Sequence, residues 1–235
     1  MDTRQFLKRY AYVYLYVVAF FLGCAGLLLR SVETAGEMAP FSSHSVLVID
    51  AGHGGMDGGT TGISGVKEDT VNLAIAKRLN AVLTLFGYET AMTRTTEADV
   101  STEGDTIRAR KQSDLRNRVS QINALPDALV ISIHQNHYPD PQYDGPQVFH
   151  TASAAELATA MQSALNTALD PTSRRSPKTS SGVYLMEHIS HPGLLVECGF
   201  LSNPAEEQKL SSAEYQRNLA SVIASVLARF ADDRL

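Results

Sequence analysis

The sequence contains no tryptophan and only two cysteines, Cys24 and Cys198, among its 235 residues. The lack of tryptophan argues mildly against a dedicated aromatic platform for sugar binding, although nine tyrosines remain. Cys24 lies in an apolar N-terminal segment and Cys198 in a predicted core strand, so we expect no disulfide between them. Such low cysteine use fits a cytosolic protein or an exported bacterial protein that needs no bridges.

An excess of basic residues is also missing, since the formal net charge is −5. Proteins that bind nucleic acid usually carry a basic face, so nucleic acid is not an expected partner. The sequence shows no internal repeats, and its hydrophobic fraction of 44% is that of an ordinary globular protein. We expect one α/β domain of ordinary size, with extensions.

A long apolar segment is present at the N-terminus, where residues 10–29 contain no charged side chain. Arg4, Lys8 and Arg9 precede it, and this arrangement predicts a helix that enters the membrane from the cytoplasm. We favour a retained anchor over a cleaved signal peptide, for which residues 33–35 would be a weak cleavage site. The protein is thus expected to be exported, either membrane-anchored or secreted. The predicted parts are a signal or anchor segment 1–30, a tether 31–44 and a folded domain 45–235.

Strands and helices alternate along the predicted domain, which indicates a mostly parallel sheet with helices on both faces. Val71, Ile75 and Leu79, for example, recur at helical spacing in a segment that Gly87 ends. The predicted strands are 45–50, 88–93, 128–133, 146–150, 182–186 and 193–197. The predicted helices are 68–86, 106–125, 154–169, 204–210 and 214–230, and the polar stretches 94–104 and 170–181 are predicted loops.

The stretch 46–68 places a histidine and a glutamate next to glycine-rich turns. Residues 46–49 form a continuous apolar run, which is typical of a strand buried on both faces. His53 follows in the sequence Ala-Gly-His-Gly-Gly, where glycines allow turns that a side chain would forbid. A second glycine-rich passage ends at Glu68, the first residue of a predicted helix. We interpret His53 and Glu68 as two candidate ligands of a metal ion.

His134 and Glu197 also stand at the ends of apolar strands, and ligands bind at that edge of an open α/β sheet. Two histidines, one carboxylate and an open position form a catalytic zinc site, which can lower the pKa of a water to ~7. His134 is therefore the candidate third ligand, and Glu197 is the candidate general base. There is no compact spacing such as H-E-x-x-H, and each residue taken alone is more often an ordinary loop or surface residue.

The other histidines, Cys198 and most of the basic residues are weaker candidates for the site or are expected elsewhere in the fold. His137 is a weaker candidate for the second histidine ligand, because it lies past the expected strand end. Cys198 is expected to pack in the core. The basic residues of the predicted helix 106–125 are expected on a solvated face, with Arg118 singled out as an exception. We predict that the remaining histidines lie in loops or at the surface: His44, His150, His188 and His191.

Four motifs resemble the zinc-dependent N-acetylmuramoyl-L-alanine amidases of type 3, a bacterial cell-wall family. They are DAGHGGMDGG, KEDTVNLAIAKRL, SIHQN and VECGFLSNPAE, and they occur in the family's order between residues 45 and 230. The resemblance implies a single domain with a mostly parallel six-stranded sheet. It also implies His53, Glu68 and His134 as ligands of one zinc ion and Glu197 as the catalytic glutamate. The implied substrate is peptidoglycan, cleaved at the amide between the lactyl group of N-acetylmuramic acid and L-alanine.

Within the family the chain is most similar to the germination-specific amidases of spore cortex. Those are short, begin with a membrane or signal segment and lack wall-binding repeats, and the passages SDLRNRV and SSGVYLM fit the same group. The resemblance implies that peptide removal is the first step toward muramic-δ-lactam. Arg118 matches an arginine that the family places before the second histidine, which suggests a role in holding the site or the substrate.

Two departures from the family bear on the site. His137 stands where many members have a small residue, so it could crowd or supplement the metal. The segment 138–146 is short and lacks the helical insert that covers zinc in some cell-division amidases, which predicts an open site. The alternatives are a vegetative-wall amidase, a zinc peptidase or deacetylase of the wall, and a non-catalytic peptidoglycan-binding module. The sequence leaves open whether a partner protein or a homodimer is needed.

Overall fold

The computed structural model describes residues 46–232, which form a six-stranded sheet flanked by helices. The predicted membrane helix and the tether lie outside these residues, and so does His44. Within 46–232 no helix is both long and apolar enough to cross a membrane. The strands are β1 (Val46–Ala51), β2 (Thr90–Met92), β3 (Ala128–Asn136), β4 (Gln147–His150), β5 (Lys178–Thr179) and β6 (Gly193–Phe200). The helices are α1 (Glu68–Leu85), α2 (Ile107–Asn123), α3 (Ala155–Leu169), α4 (Tyr184–His188), α5 (Pro204–Ser211) and α6 (Ala213–Asp232).

The centre of the sheet is parallel, as the sequence predicted. The strand order is β2-β1-β3-β6-β4-β5, and β2, β1, β3 and β6 run in the same direction. β4 pairs with β6 in the antiparallel sense, and β5 is parallel to β4. The register pairs Asp50 with Ser132 and His134 with Glu197, so side chains from three strands meet at one carboxyl edge.

Helices cover both faces of the sheet, and α1 does so through an apolar stripe. On one face α1 packs against β1 and β3 and against α6. The predicted stripe of α1 is buried, with Ile75 and Leu79 each 0% exposed. On the other face α2 and α4 cover Val48, Val130 and Leu195. Burial of one such aliphatic side chain contributes roughly 1.5–3 kcal/mol, so these two layers hold the strand ends in place.

One predicted strand is wrong, because Gly182–Met186 leads into the short helix α4 instead. The backbone N–H groups of Glu187 and Ile189 donate to the carbonyls of Val183 and Leu185 in helical fashion. Consecutive Leu185 and Met186 are both buried against the same core cluster, whereas successive residues of a strand point to opposite faces. A short apolar run cannot be assigned to strand or helix from its period alone.

The sixth strand, β5, lies in the segment 170–181, for which the sequence predicted a loop. Lys178–Thr179 forms β5, which pairs with β4 and is the edge strand on that side of the sheet. The strands β3 and β6 continue to Asn136 and Phe200, so His134 lies within β3 rather than just beyond it, and Glu197 lies within β6 rather than at its end. The expectation for His150 is also wrong: it lies at the end of β4 and is buried, with Nδ1 2.8 Å from the carbonyl oxygen of Thr151.

Candidate metal centre and active site

The loop after β1 holds His53 in an unusual backbone conformation. Gly52 N–H donates to the carbonyl of Ile133 on β3, at 3.1 Å, which ties the start of the loop to the sheet. His53 has φ of 61°, and no other non-glycine residue within 46–232 has a positive φ. Such a conformation costs on the order of 1–2 kcal/mol for a residue with a Cβ atom. Surrounding contacts must therefore hold His53 in place.

Three side chains converge at the carboxyl edge of the sheet. Glu68 Oε1 lies 3.3 Å from His53 Nε2 and 3.0 Å from His134 Nδ1. One donor atom of each of these residues lies within 4.8 Å of the others, and the two imidazole rings are 5.0 Å apart and nearly perpendicular. A tetrahedral zinc ion with bonds of about 2.0–2.2 Å spaces its ligand atoms about 3.3–3.5 Å apart. The donor set and its spacing fit such an ion.

Hydrogen bonds from outside the cluster orient His53 and Glu68. His53 Nδ1 lies 2.9 Å from Asp57 Oδ2, so its Nε2 faces Glu68. Asp57 in turn pairs with Lys111 at 2.9 Å. Glu68 Oε2 accepts from the backbone N–H of Thr60 at 2.9 Å, and Oε1 accepts from that of Gln135 at 3.1 Å. A carboxylate behind a ligating histidine fixes its ring and raises its basicity, as is common around bound metals.

Hydrogen bonds and opposite charges within this cluster set the protonation states of its residues. Burial alone would lower the pKa of His53, but its hydrogen bonds to the carboxylates of Asp57 and Glu68 raise it to about 9. Burial alone would raise the pKa of Glu68, but its contacts with His134 and His53 hold that pKa well below its usual range. The carboxylate is therefore ionised, and a bound cation would replace the proton that His53 otherwise carries.

Two buried arginines hold the backbone of the His53 loop. Arg118 donates to the carbonyls of Ala51 and His53, each at 2.7 Å. Arg94 donates to the carbonyls of Ala51 and Gly52 at 2.8 and 3.0 Å. The carboxylate of Asp50 forms an ion pair with Arg118 at 2.6 Å, and its negative charge balances part of the buried positive charge. Arg118 thus supports the site through the loop, unlike the solvated basic residues expected on its helix.

Glu197 provides a carboxylate that is not engaged by the protein. It pairs with His134 in the β3–β6 register, and its Oε2 is buried with no hydrogen-bond partner among the described residues. Burial raises the pKa of Glu197 to about 7, a value at which a carboxylate can both accept and return a proton at neutral pH. A cation at the neighbouring donors would lower this pKa, because an opposite charge favours the ionised form.

The structure does not bring the other candidates to the centre. His137 is exposed, does not belong to the His53–Glu68–His134 cluster, and its backbone N–H donates to Asn136 Oδ1. His188 is exposed and stacks on Tyr184. Cys198 is a free thiol, 0% exposed, as expected for a core residue, and burial raises its pKa.

Sequence reasoning missed the residues that support the donors. Asp57 follows His53 by four positions in the same glycine-rich motif, and that spacing was the available signal. Asn72 donates to the carbonyl of Gly52 and accepts from Gln135, one helical turn after Glu68. Arg94 carried no sequence signal, because it stands in a stretch that composition assigns to a loop.

The family model of the N-acetylmuramoyl-L-alanine amidases (type 3) matches residues 47–229. The chain belongs to this family. It is a hydrolase with N-acetylmuramoyl-L-alanine amidase activity. This amidase is 38% identical over 192 residues to the germination-specific N-acetylmuramoyl-L-alanine amidase of Bacillus subtilis, with 80% of each chain covered. It is 30% identical over 198 residues to the amidase LytC of the same organism, covering 82% of this chain and 37% of LytC.

Solved structures agree with this assignment. The amidase matches the structure of the CwlD amidase from Clostridioides difficile, solved in complex with the GerS lipoprotein, with a TM-score of 0.77 and 29% identity. That match covers 81% of this chain and 100% of the other. A second amidase structure, from Clostridium difficile 630, matches with a TM-score of 0.71 and 26% identity, over 83% of this chain and 100% of the other. The single α/β domain seen here is the fold of the family.

Proposed function

We propose that this amidase holds one zinc ion through His53, Glu68 and His134 and hydrolyses the amide between muramic acid and L-alanine in peptidoglycan. The observation that carries the proposal is the convergence of three donor atoms within 4.8 Å beside the unpartnered carboxylate of Glu197. Two imidazoles and one carboxylate suit zinc, which accepts nitrogen and oxygen ligands. When bound, zinc lowers the pKa of a water molecule and polarises a carbonyl.

Glu197 acts as general base and then as general acid. Its carboxylate takes a proton from the attacking water and returns it to the nitrogen of L-alanine as that nitrogen leaves. The amide C–N bond breaks, leaving the free lactyl carboxylate on the sugar and the free amine on the peptide. The absence of a protein partner for Oε2 within residues 46–232 keeps one oxygen available for both transfers.

The peptidoglycan substrate lies outside the cytoplasm, so the protein acts there. We further propose that the protein acts on spore cortex, as a first step toward muramic-δ-lactam, because the relative with 38% identity is named germination-specific. Residues 10–29 anchor it or direct its export, and residues 45–235 form the catalytic domain. The CwlD structure contains a lipoprotein, and a membrane-associated protein partner is a reasonable expectation for this chain too.

Mass spectrometry of muropeptides tests this proposal directly. Purified protein is incubated with cortex and with vegetative peptidoglycan, with and without a zinc chelator, and the new termini are identified. We expect released peptides that begin with L-alanine, faster release from cortex, and loss of release with chelator that added zinc restores. A new sugar terminus or deacetylated sugar would identify a different hydrolase. No release with zinc present would favour a binding module, and equal release from both walls would remove the cortex assignment.

A further inference from the structure

A polar pocket of about 460 Å³ lies next to the catalytic edge and plays no part in the proposed reaction. It is formed by the start of β4 and by the segment that precedes β5. We name it the basic pocket, because three cationic side chains contribute to its lining. The residues that matter here are Asp144, Gln147, Asp170, Arg174, Arg175 and Lys178.

The sheet register relates the basic pocket to the catalytic centre. Gln147 pairs with Glu197 across β4 and β6, and Glu197 pairs with His134 across β6 and β3. Because neighbouring strands are about 4.8 Å apart, Gln147 lies roughly 10 Å from His134 along the sheet. The guanidinium of Arg175 lies 5.3 Å from the ring centre of Phe200, the last residue of β6. The pocket therefore opens at the same end of the sheet as the metal centre.

Buried amides fix the segment that carries the cations. The carbonyl of Arg175 accepts from Asn166 of α3 at 2.9 Å, and the carbonyl of Ser176 accepts from Gln147 at 2.8 Å. Gln147 also donates to Gln162, which is 1% exposed. Arg175 itself donates to the carbonyl of Asp144 at 2.8 Å. The wall of the pocket is thus tied to the core, although sequence analysis predicted a loop here.

The cations at the pocket have few protein partners. Arg174 and Lys178 are exposed, and neither forms an ion pair with any residue that the structure describes. Of the two carboxylates in the lining, Asp170 accepts from the hydroxyl of Thr172 at 3.0 Å. Charged hydrogen bonds are among the stronger ones, so a ligand with an anionic oxygen would gain most from this arrangement.

The substrate offers such a group, because a stem peptide carries carboxylates at its end and on its acidic residues. An extended peptide advances about 3.3–3.6 Å per residue, so the roughly 10 Å between His134 and Gln147, at the near side of the pocket, corresponds to about the third residue. We propose that the basic pocket binds a carboxylate of the stem peptide at about the third residue from the cleaved amide. This inference rests on the proposed function, and it assigns Arg174 and Lys178 to substrate specificity rather than to chemistry.

Two matched substrates and two matched variants test the subsite. The substrates are N-acetylmuramoyl tripeptides whose third residue ends either in a free carboxylate or in a primary amide. The variants are the double substitution R174Q/K178Q and the control K77Q/R217Q, which removes two exposed charges from α1 and α6. We expect the wild type to prefer the carboxylate by about 10-fold in kcat/KM, mainly through KM, since a charged hydrogen bond contributes about that factor.

The double variant should lose this preference, because its kcat/KM on the carboxylate substrate should fall to about the value on the amide substrate. The control should keep the preference, and both variants should unfold at the wild-type temperature. Equal cleavage of the two substrates by the wild type overturns the subsite but leaves the amidase intact. A preference that survives R174Q/K178Q overturns it as well. Cleavage of neither substrate by the wild type overturns the proposed function, and the subsite with it.

Discussion

Nη2 of Arg118 donates a 2.7 Å hydrogen bond to the backbone carbonyl of His53. The same guanidinium binds Asp114 through Nε at 2.7 Å and Asp50 through Nη1 at 2.6 Å. A side chain from the middle of α2 therefore holds the strained residue that the metal centre needs. Three directed contacts from one planar group explain why the loop keeps its shape without a disulfide or a proline.

The substitution Arg118→Lys should weaken both the fold and the metal site. Lysine cannot make the same fork of contacts, and Asp50 and Asp114 would stay buried with poorer compensation. We expect the free energy of unfolding of the metal-free protein to fall by about 3 kcal/mol and zinc affinity to fall about 10–100-fold. Urea unfolding and chelator competition measure the two effects.

The control for that variant is Arg116→Lys, two residues away on the same helix. Arg116 is 54% exposed and pairs with Glu103 at the surface, so its replacement should change stability by less than about 0.5 kcal/mol. If Arg118→Lys binds zinc as tightly as the wild type, the guanidinium does not position His53.

Gly52→Ala should remove zinc binding, because a Cβ atom at this position would overlap the imidazole of His134. The ring lies directly against the backbone of the loop, so it would have to leave the donor cluster. Gly58→Ala is the matched control, since a Cβ atom there meets only Lys67 Cδ at 3.5 Å. Zinc content of the purified proteins by atomic emission separates the two, and a zinc-loaded Gly52→Ala protein would contradict the structure.

Glu197→Gln should keep zinc and lose turnover. Glutamine has nearly the same shape but cannot accept and return a proton, so we expect kcat to fall by about 10²–10⁴. Zinc affinity should stay within a few-fold of the wild type, because Glu197 is not in the donor set. Glu156→Gln, at an exposed position of α3, should leave both quantities unchanged. An active Glu197→Gln enzyme would falsify the assignment of the base.

Zinc binding should weaken as the pH falls. The pKa of His53 is raised to about 9 in the chain without metal, so the imidazole is mostly protonated at neutral pH, and zinc must displace that proton. Zinc affinity should therefore decrease about 10-fold for each pH unit below 9 while one proton is released. Calorimetry in buffers of different ionisation enthalpy counts the protons. The substitution Asp57→Asn removes a carboxylate that raises the pKa of His53, so fewer protons should be released on zinc binding near neutral pH.

Acid should destabilise the fold through Asp50. Burial alone would raise the pKa of this carboxyl, but Arg118 and Ser132 lower it from 3.8 to about 2. A depressed pKa contributes stability above the unfolded pKa, and that contribution is lost as the pH falls from about 4 to about 2. We expect a loss on the order of 2 kcal/mol over this window. Urea unfolding between pH 2 and 5 should show this slope in the wild type and a flatter one in Asp50→Asn.

Sequence patterns predicted the sheet and the catalytic edge because both rest on strong, local signals. Continuous apolar runs before His53, His134 and Glu197 correspond to β1, β3 and β6, and the parallel fold is confirmed. The ligand and base assignments remain predictions, although the geometry brings all four residues together. The strand ends indicated these residues as candidates, and the resemblance to the family implied the full set of ligands and the base.

The features that the sequence did not predict depend on contacts between segments that are far apart in the chain. A local sequence pattern carries no information about such contacts. Arg94 stands in a predicted loop and shows its role only through its contacts with the His53 loop, whereas Arg118 is indicated by the family resemblance alone. The apolar residues of 182–186 fit a strand as well as a helix, and packing of Leu185 and Met186 on one side decided for α4. β5 has only two residues and is held by pairing with β4, so its own sequence carries almost no signal.

Long stretches of chain separate His134 and Glu197 from the segment that holds His53 and Glu68, and parallel pairing of β1, β3 and β6 brings them together. An unfolded chain therefore has no local cluster that could capture the cation early. Non-local parallel pairing is slow to form, so metal uptake should be a late event in maturation. Zinc would then stabilise a domain that has already folded rather than initiate its folding.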